Sequence, residues 1–193
     1  MGQAIKIALA GEGGQGVQSV AMILTEAAYE EGREALYIPN FGVEQRGGVS
    51  VAFVQIADQH IEAPKFRIGD VVVALSDRAV RRTGQYVGPE TIFIYDKSIT
   101  GIEEDLPKEA KQILAIPAID VAKKEFHPRV FNIIIMGAII GATGVVSEER
   151  ARASLESKLG YKFEKDPSLR EMNFKALTRG IELVRAELKE GQS

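Results

Sequence analysis

The part of the chain best suited to bind a ligand is a run of six residues that contains four glycines, Gly11-Glu12-Gly13-Gly14-Gln15-Gly16. The spacing of Gly11, Gly13 and Gly16 fits the G-x-G-x-x-G pattern. Glycine lets the backbone turn sharply and lets a large group come close, and a helix that starts after such a turn presents free N–H groups to an anion. The loop is therefore predicted to hold a phosphate-bearing ligand. The competing interpretation is that the glycines only let a strand and a helix pack tightly.

A nicotinamide dinucleotide fits this loop poorly. Such a site expects an acidic residue roughly 20 residues further on, at the end of the second strand, to bind the ribose. Here that strand is predicted to end in Pro39-Asn40, and Glu34 stands at its other end. No arginine stands there to bind a 2′-phosphate. We therefore expect a different phosphate-bearing ligand, with NAD as the weaker alternative.

A second cluster, Arg46-Gly47-Gly48, precedes a long strand pattern. A guanidinium at this point would bind an anion or a partner's carboxylate, because the glycines allow close approach. The alternative is an ordinary loop in which the arginine faces solvent and the glycines permit a bulge. The predicted binding residues are thus Gly11, Gly13, Gly14, Gln15, Gly16, Arg46, Gly47 and Gly48.

The elements that must hold these two loops are those of an α/β domain. A short apolar run over 5–10 predicts a buried strand, the apolar spacing from Val17 predicts a helix that ends near Gly32, and 35–38 predicts a second strand. Residues 1–193 are predicted to form a single doubly wound, Rossmann-like domain, with a mostly parallel sheet, helices on both faces and a helical C-terminal end.

The later segments continue this pattern. Residues 161–167 are predicted to be a loop. Residues 61–66 are predicted to return towards the sheet, where Pro64 would confine them to an edge strand or a turn. The apolar segment Val130–Val146 is short for a membrane span and predicts a buried helix. Its Gly137 and Gly141 would allow close packing, either inside the domain against the sheet or against another subunit. Further strands are predicted over 49–57, 71–75, 91–95 and 113–116, and further helices over 76–86, 118–126, 147–159 and 169–188.

Composition excludes several classes of function. The net charge of −3 gives no electrostatic reason to expect nucleic acid or an anionic membrane as a partner. The chain has no cysteine, so it forms no disulfide and supplies no thiolate to an iron–sulfur cluster. His60 and His127 lack metal-ligand spacing, and no catalytic triad stands out. No metal site or catalytic residue is therefore predicted, and the lack of a signal pattern predicts a cytoplasmic protein.

Taken together, the two glycine loops and three later segments resemble the gamma subunit of 2-oxoacid:ferredoxin oxidoreductases. The resemblance covers nearly the whole chain, and the separation of the G-x-G-G-Q-G and R-G-G loops is its most specific part. Such domains occur in enzymes for several 2-oxoacids, so the match indicates a family and not a substrate. The later segments are 70–75, 116–118 and 132–137.

The resemblance implies a subunit of an oxidoreductase that converts a 2-oxoacid and coenzyme A into acyl-CoA, carbon dioxide and two electrons for a ferredoxin-type acceptor. In that family, thiamine diphosphate is held by the alpha and beta subunits, and iron–sulfur clusters by beta and delta subunits or fused domains. The gamma chain is then not active alone and contributes to coenzyme A binding and assembly. The glycine loop would approach the coenzyme A phosphates or line the channel beside the thiamine site, with Arg46 adding charge.

Two other functions remain open at this stage. One is a free-standing nucleotide- or flavin-binding module, which a flavin spectrum of the purified protein would favour. The other is an assembly subunit whose glycine loop binds nothing. Copurification with larger thiamine- and iron-bearing chains favours a subunit role, and coenzyme A binding separates the two subunit roles.

Overall fold

The computed structural model describes residues 4–41 and 48–190, which form a six-stranded sheet with helices on both faces. The strand order across the sheet is β2-β3-β1-β4-β5-β6. The strands are β1 (Ile5–Gly11), β2 (Glu34–Asn40), β3 (Ser50–Ala57), β4 (Val71–Ala74), β5 (Ile92–Asp96) and β6 (Gln112–Ile116). The helices are α1 (Val17–Glu30), α2 (Asp77–Thr83), α3 (Ala118–Glu125), α4 (Phe131–Thr143), α5 (Glu148–Lys165) and α6 (Pro167–Glu190).

The sheet is mixed because β3 runs against its two neighbours. It pairs antiparallel with both β1 and β2, whereas β1, β4, β5 and β6 pair in parallel. A parallel connection needs a crossover of a dozen or more residues, usually through a helix. Only residues 41–49 separate β2 from β3, so the chain returns alongside β2 in the opposite direction. The predicted mostly parallel α/β fold is confirmed, with this one reversed strand inside it.

The two faces of the sheet are covered unequally. One face contributes Ile7, Leu9 and Val73 to a large apolar core shared with α1, α3, α4, α5 and α6. The other face contributes Ala8, Ala10 and Phe93 to a smaller core, which α2 and the segments around it cover. Because side chains alternate along each strand, neighbouring residues of β1 belong to different cores. Burial on both faces explains why the central strands read as nearly continuous apolar runs in the sequence.

One sequence prediction about a loop is wrong, and the structure refines two others. Residues 161–167 were expected to be a loop, but α5 continues to Lys165 because Phe163 extends the four-residue apolar spacing of Leu155 and Leu159 and is buried. Residues 61–66 return to the sheet, where Phe66 packs on Phe53 of β3, and of the two alternatives for Pro64 they form a turn rather than an edge strand. The strand predicted over 35–38 runs from Glu34 to Asn40, since β2 is an edge strand, where the missing N–H of Pro39 is tolerated.

The glycine-bearing helix α4 is buried inside the chain's own fold and packs against α6. A Cβ atom added at Gly137 would lie 2.2 Å from the carbonyl oxygen of Leu177, and one added at Gly180 would lie 2.0 Å from that of Ile134. The close approach predicted for these glycines is therefore an intradomain contact, and its partner is a helix rather than the sheet. None of the helices in the described part of the chain has the length and apolarity needed to cross a membrane.

Candidate functional site

The glycine loop lies at the carboxyl end of β1, where the chain changes direction across the sheet. From β1 the chain passes through α1 to β2 on one side of β1, and later returns to place β4 on the other side. Helices α1 and α2 cover opposite faces, so a crevice opens between the carboxyl ends of β1 and β4. In open α/β sheets, ligands bind in the crevice at such a switch point.

Gln15 fixes the shape of the loop. Its Nε2 donates to the carbonyl oxygen of Leu75 at 2.8 Å, and its Oε1 accepts from the backbone N–H of Glu12 at 2.6 Å. The backbone N–H of Gln15 donates to the carbonyl of Glu12 at 3.2 Å, which closes the turn. Both ends of the carboxamide are thus used inside the chain. Gln15 positions the loop against the end of β4, and its predicted contact with a ligand stays a prediction.

Two of the four glycines are needed for packing. A Cβ atom at Gly11 would lie 2.6 Å from Oε1 of Gln15 and 2.9 Å from Cγ2 of Val17. Gly16 caps α1 in the left-handed region at φ +76°, and a Cβ atom there would lie 2.5 Å from Nδ2 of Asn132. For Gly11 and Gly16, the competing interpretation of tight strand-to-helix packing is therefore the better one.

The other two glycines, Gly13 and Gly14, form the open part of the loop. Both are exposed, and a Cβ atom at either would meet nothing within 4 Å. Gly14 has φ +88°, so it also requires glycine for its conformation. Gly13 has neither restraint within the described residues. The absence of a side chain at Gly13 leaves the backbone accessible in front of the crevice, although neither packing nor backbone conformation requires glycine there.

The first turn of α1 faces this open turn without a side-chain cap. Gly16 makes no capping hydrogen bond, and the first turn of the helix carries no acidic residue. The first N–H groups of a helix have no partner within the helix, and the dipole adds positive potential at this end. The arrangement can therefore bind an anionic group such as a phosphate through backbone donors.

The second predicted loop leads to the same edge of the sheet. The register of the antiparallel pair places Ser50 of β3 opposite Gly11, and the Ser50 hydroxyl lies 3.4 Å from the Gly11 carbonyl oxygen, to which it donates. Gly48, two residues earlier, therefore lies at the same edge of the sheet as the glycine loop. Arg46 and Gly47 lie outside the described residues, so their predicted binding role stays a prediction.

A cavity of about 450 Å³ borders the start of α1 and was not predicted from the sequence. It lies between the first turns of α1 and α4 and the junction of α5 with α6, and Ser19 and Asn132 line it on the side of the loop. Arg129 and Lys162 add positive charge, against the single carboxylate of Asp166 among the described lining residues. These residues are far apart in the sequence and follow no motif, which is why sequence reasoning missed them.

Two buried polar atoms beside the loop lack partners among the described residues. They are Oδ1 of Asn132, whose side chain touches Gly16, and Nε2 of Gln18 in the first turn of α1. Oε1 of Gln18 accepts from the hydroxyl of Tyr37, whose pKa is raised by burial, so Tyr37 remains a donor at neutral pH. Buried polar groups normally have a hydrogen-bond partner, so this unpaired acceptor and this unpaired donor beside the loop are exceptions.

The residues present do not suit a metal centre. Within 4–41 and 48–190, no three His, Asp or Glu side chains come together as a metal-binding group. The sequence offers no thiolate either. What the site supplies is backbone N–H groups and positive charge, which suit the binding of anions.

Comparison with known proteins decides the family. Residues 6–183 match the pyruvate ferredoxin/flavodoxin oxidoreductase family. The chain belongs to this family. The family and fold inferred from the sequence are therefore confirmed.

Three relatives of this oxidoreductase chain illustrate the range of the family. The chain is 31% identical over 190 residues to the 2-oxoglutarate synthase subunit KorC of Archaeoglobus fulgidus. This match covers 98% of the chain and 92% of KorC. The chain is 29% identical to the ketoisovalerate oxidoreductase subunit VorA of Methanothermobacter thermautotrophicus, covering 96% of this chain but only 37% of the length of VorA. A solved gamma subunit of a keto/oxoacid ferredoxin oxidoreductase from Geobacter sulfurreducens superimposes with a TM-score of 0.79 at 27% identity, covering 96% and 98% of the two chains.

Proposed function

We propose that this chain is the gamma subunit of a multi-subunit 2-oxoacid:ferredoxin oxidoreductase. The complex would convert a 2-oxoacid and coenzyme A into acyl-CoA, carbon dioxide and reduced acceptor. The observation that carries the proposal is the match along nearly the full length of gamma-type subunits, such as KorC and the Geobacter protein. In this proposal residues 1–193 act as one gamma-type domain. The relatives are named for different oxoacids, so the proposal names the class of 2-oxoacids and no single substrate.

The redox chemistry is assigned to companion subunits. A chain without cysteine has no thiolate for an iron–sulfur cluster, and its described residues offer no metal-binding group. We assign thiamine diphosphate to alpha and beta subunits, and the clusters that pass electrons to a ferredoxin-type acceptor to beta and delta subunits. This chain then contributes binding and assembly, and no catalytic residue is assigned to it.

The glycine loop is proposed to bind the phosphates of coenzyme A. The exposed Gly13–Gly14 turn and the uncapped start of α1 provide backbone donors at the switch point. Gly11, Gln15 and Gly16 hold that turn in shape, while Gly48, with Arg46 and Gly47 before it, would border the site from β3. The cavity beside α1 offers room for another part of an extended ligand, and Arg129 and Lys162 would favour its negative charge.

The function is tested by producing the chain with the products of its flanking genes and purifying through a tag on this chain. We expect larger chains to copurify, and the complex to reduce ferredoxin or a viologen dye only with both a 2-oxoacid and coenzyme A. The isolated chain should be colourless and inactive. Turnover of an oxoacid by the chain alone would contradict the proposal, and so would a purified, uncomplexed chain with a flavin spectrum.

A further inference from the structure

A second pocket lies at the end of the sheet opposite the glycine loop. It has a volume of about 540 Å³ and opens between the start of β1, the end of β3 and the segment of residues 58–70 that joins β3 to β4. Since β1 runs from Lys6 near this pocket to Gly11 at the other edge, the two sites are separated by the length of the strand. The pocket is not part of the proposed coenzyme A site.

The segment that forms the wall of this pocket is held in place by its own contacts. Gln55, only 4% exposed, donates from Nε2 to the carbonyl oxygen of Ala63 at 2.8 Å. The backbone N–H of Ile61 donates to Oε2 of Glu34 at 3.0 Å. The ring of Phe66 packs edge-on against Phe53, with centroids 5.5 Å apart. A compact connection fixed in this way forms the pocket before any ligand arrives.

More cations than carboxylates line the pocket, and the carboxylate of Asp70 lies at its border, where Oδ2 accepts from the backbone N–H of Lys6 at 2.7 Å. Lys6, Lys65 and Arg67 line it, and none of the three has an ion-pair partner among the residues described. Glu62 is the one carboxylate among the described lining residues, and His60 is paired with Glu34 at its rim. The chain as a whole has a net charge of −3, so a cavity lined by three unpaired cations differs in charge from the rest of the molecule.

The backbone adds further donors. No backbone N–H of residues 62–68 donates to another residue in the described part of the chain. Free N–H groups in an irregular segment, close to cationic side chains, can together bind carboxylate or phosphate oxygens. Alanine and isoleucine side chains line the rest of the pocket together with Gln55, Gln59 and Phe66, and the volume of about 540 Å³ suits a small ligand.

We propose that this pocket binds a small, multiply charged anion of the polycarboxylate or phosphate class. Lys6, Lys65 and Arg67 supply the charge, and the unpaired backbone N–H groups of residues 62–68, apart from Pro64, which has none, supply further donors. The site is independent of the coenzyme A loop, so its occupation is a property of this chain alone and needs no companion subunit.

The test is to titrate citrate and, separately, pyrophosphate into the isotope-labelled full chain and to follow backbone amide chemical shifts at constant ionic strength. We expect saturable shifts confined to residues 59–68 and the start of β1 with at least one of the two anions. The anion that binds more tightly identifies the class. The variant Lys65→Glu/Arg67→Glu should lose at least tenfold in affinity, and both side chains are exposed, so folding should be unaffected.

A matched control carries the same change of net charge elsewhere. Lys123→Glu/Arg150→Glu reverses two exposed cations on α3 and α5, distant from the pocket, and should bind like the wild type. The proposal is overturned if neither anion gives saturable shifts at these residues at millimolar concentration. It is also overturned if the two double variants lose affinity equally, because binding would then reflect net charge alone.

Discussion

Single residues in the glycine loop divide into a structural pair and an exposed pair. Gly11 and Gly16 leave room for neighbouring side chains, whereas Gly13 and Gly14 face open space. The sequence pattern does not distinguish the four glycines, because it depends only on their spacing and not on their neighbours in the fold. Only their neighbours in space, Leu75 beyond β4 and Asn132 in α4, show which glycines serve the fold.

This division predicts opposite outcomes for two alanine substitutions. Gly16→Ala should destabilise the protein by about 1–3 kcal/mol, because the residue has φ +76° and its Cβ atom would meet Asn132. Gly13→Ala should change the free energy of unfolding by less than about 0.5 kcal/mol. Urea unfolding of both variants and the wild type measures the difference. Equal destabilisation by both substitutions would show that the loop is packed differently.

At the scale of elements, the contact between α4 and α6 depends on missing side chains. Gly137→Ala should destabilise the protein by roughly 2–3 kcal/mol, because its Cβ atom would press on the backbone of α6. Gly160→Ala in α5 is the matched control, since a Cβ atom there meets nothing within 4 Å. Alanine has the better helix propensity, so the control should be neutral or more stable by up to about 1 kcal/mol. Thermal unfolding of the two variants and the wild type measures these changes in stability. A Gly137→Ala variant as stable as the wild type would contradict the close contact.

The contact between the start of α5 and the middle of α6 makes stability depend on pH. Partial burial raises the pKa of Glu148, but hydrogen bonds from Thr178 and Arg152 outweigh that effect and leave the pKa below its ordinary value of 4.5. A lowered pKa in the folded state gives stability that is complete above the ordinary value and is lost as the pH falls through the folded value. The wild type should therefore lose more stability on acidification than Glu148→Gln.

Urea midpoints measured between about pH 7 and pH 3 test this expectation. Glu149→Gln is the control, since Glu149 is an exposed neighbour with no ion pair among the described residues. The control should keep the pH dependence of the wild type. Parallel pH profiles for the wild type and Glu148→Gln would contradict the role given to this carboxylate.

Most elements could be predicted from the sequence because their signals are local. The strand pattern over 71–75, the helices predicted from 76 and 147 and the place of the glycine loop between a strand and a helix each depend on a few adjacent residues, and the structure confirms these elements. The direction of β3 could not be predicted, because pairing depends on contacts between distant segments. The cavity beside α1 was missed for the same reason, since four helices contribute to its lining.

At the scale of the whole molecule, each end of the sheet carries a proposed site for an anion, and the two proposals differ in whether companion subunits are required. The glycine loop is proposed to act within a complex, and the thiamine and the iron–sulfur clusters are assigned to companion subunits in that same proposal. The pocket around Lys65 and Arg67 is proposed to act in the chain alone. Titrations of the complex and of the isolated chain therefore test the two proposals separately.

The central claim is that the exposed turn at Gly13 binds the phosphates of coenzyme A. Its most direct test is a calorimetric titration of coenzyme A into the purified complex that carries Gly13→Asp. The new carboxylate would stand where the phosphates are proposed to bind, and its Cβ atom meets nothing within 4 Å. Repulsion between like charges at short range is about 1–4 kcal/mol, so affinity should fall about tenfold or more.

Gly84→Asp is the control for this titration. It adds the same charge after α2, away from the loop, at a position where a Cβ atom also meets nothing within 4 Å. We predict that the dissociation constant for coenzyme A rises in the complex with Gly13→Asp and stays at the wild-type value with Gly84→Asp. An unchanged dissociation constant in the complex with Gly13→Asp would contradict the claim.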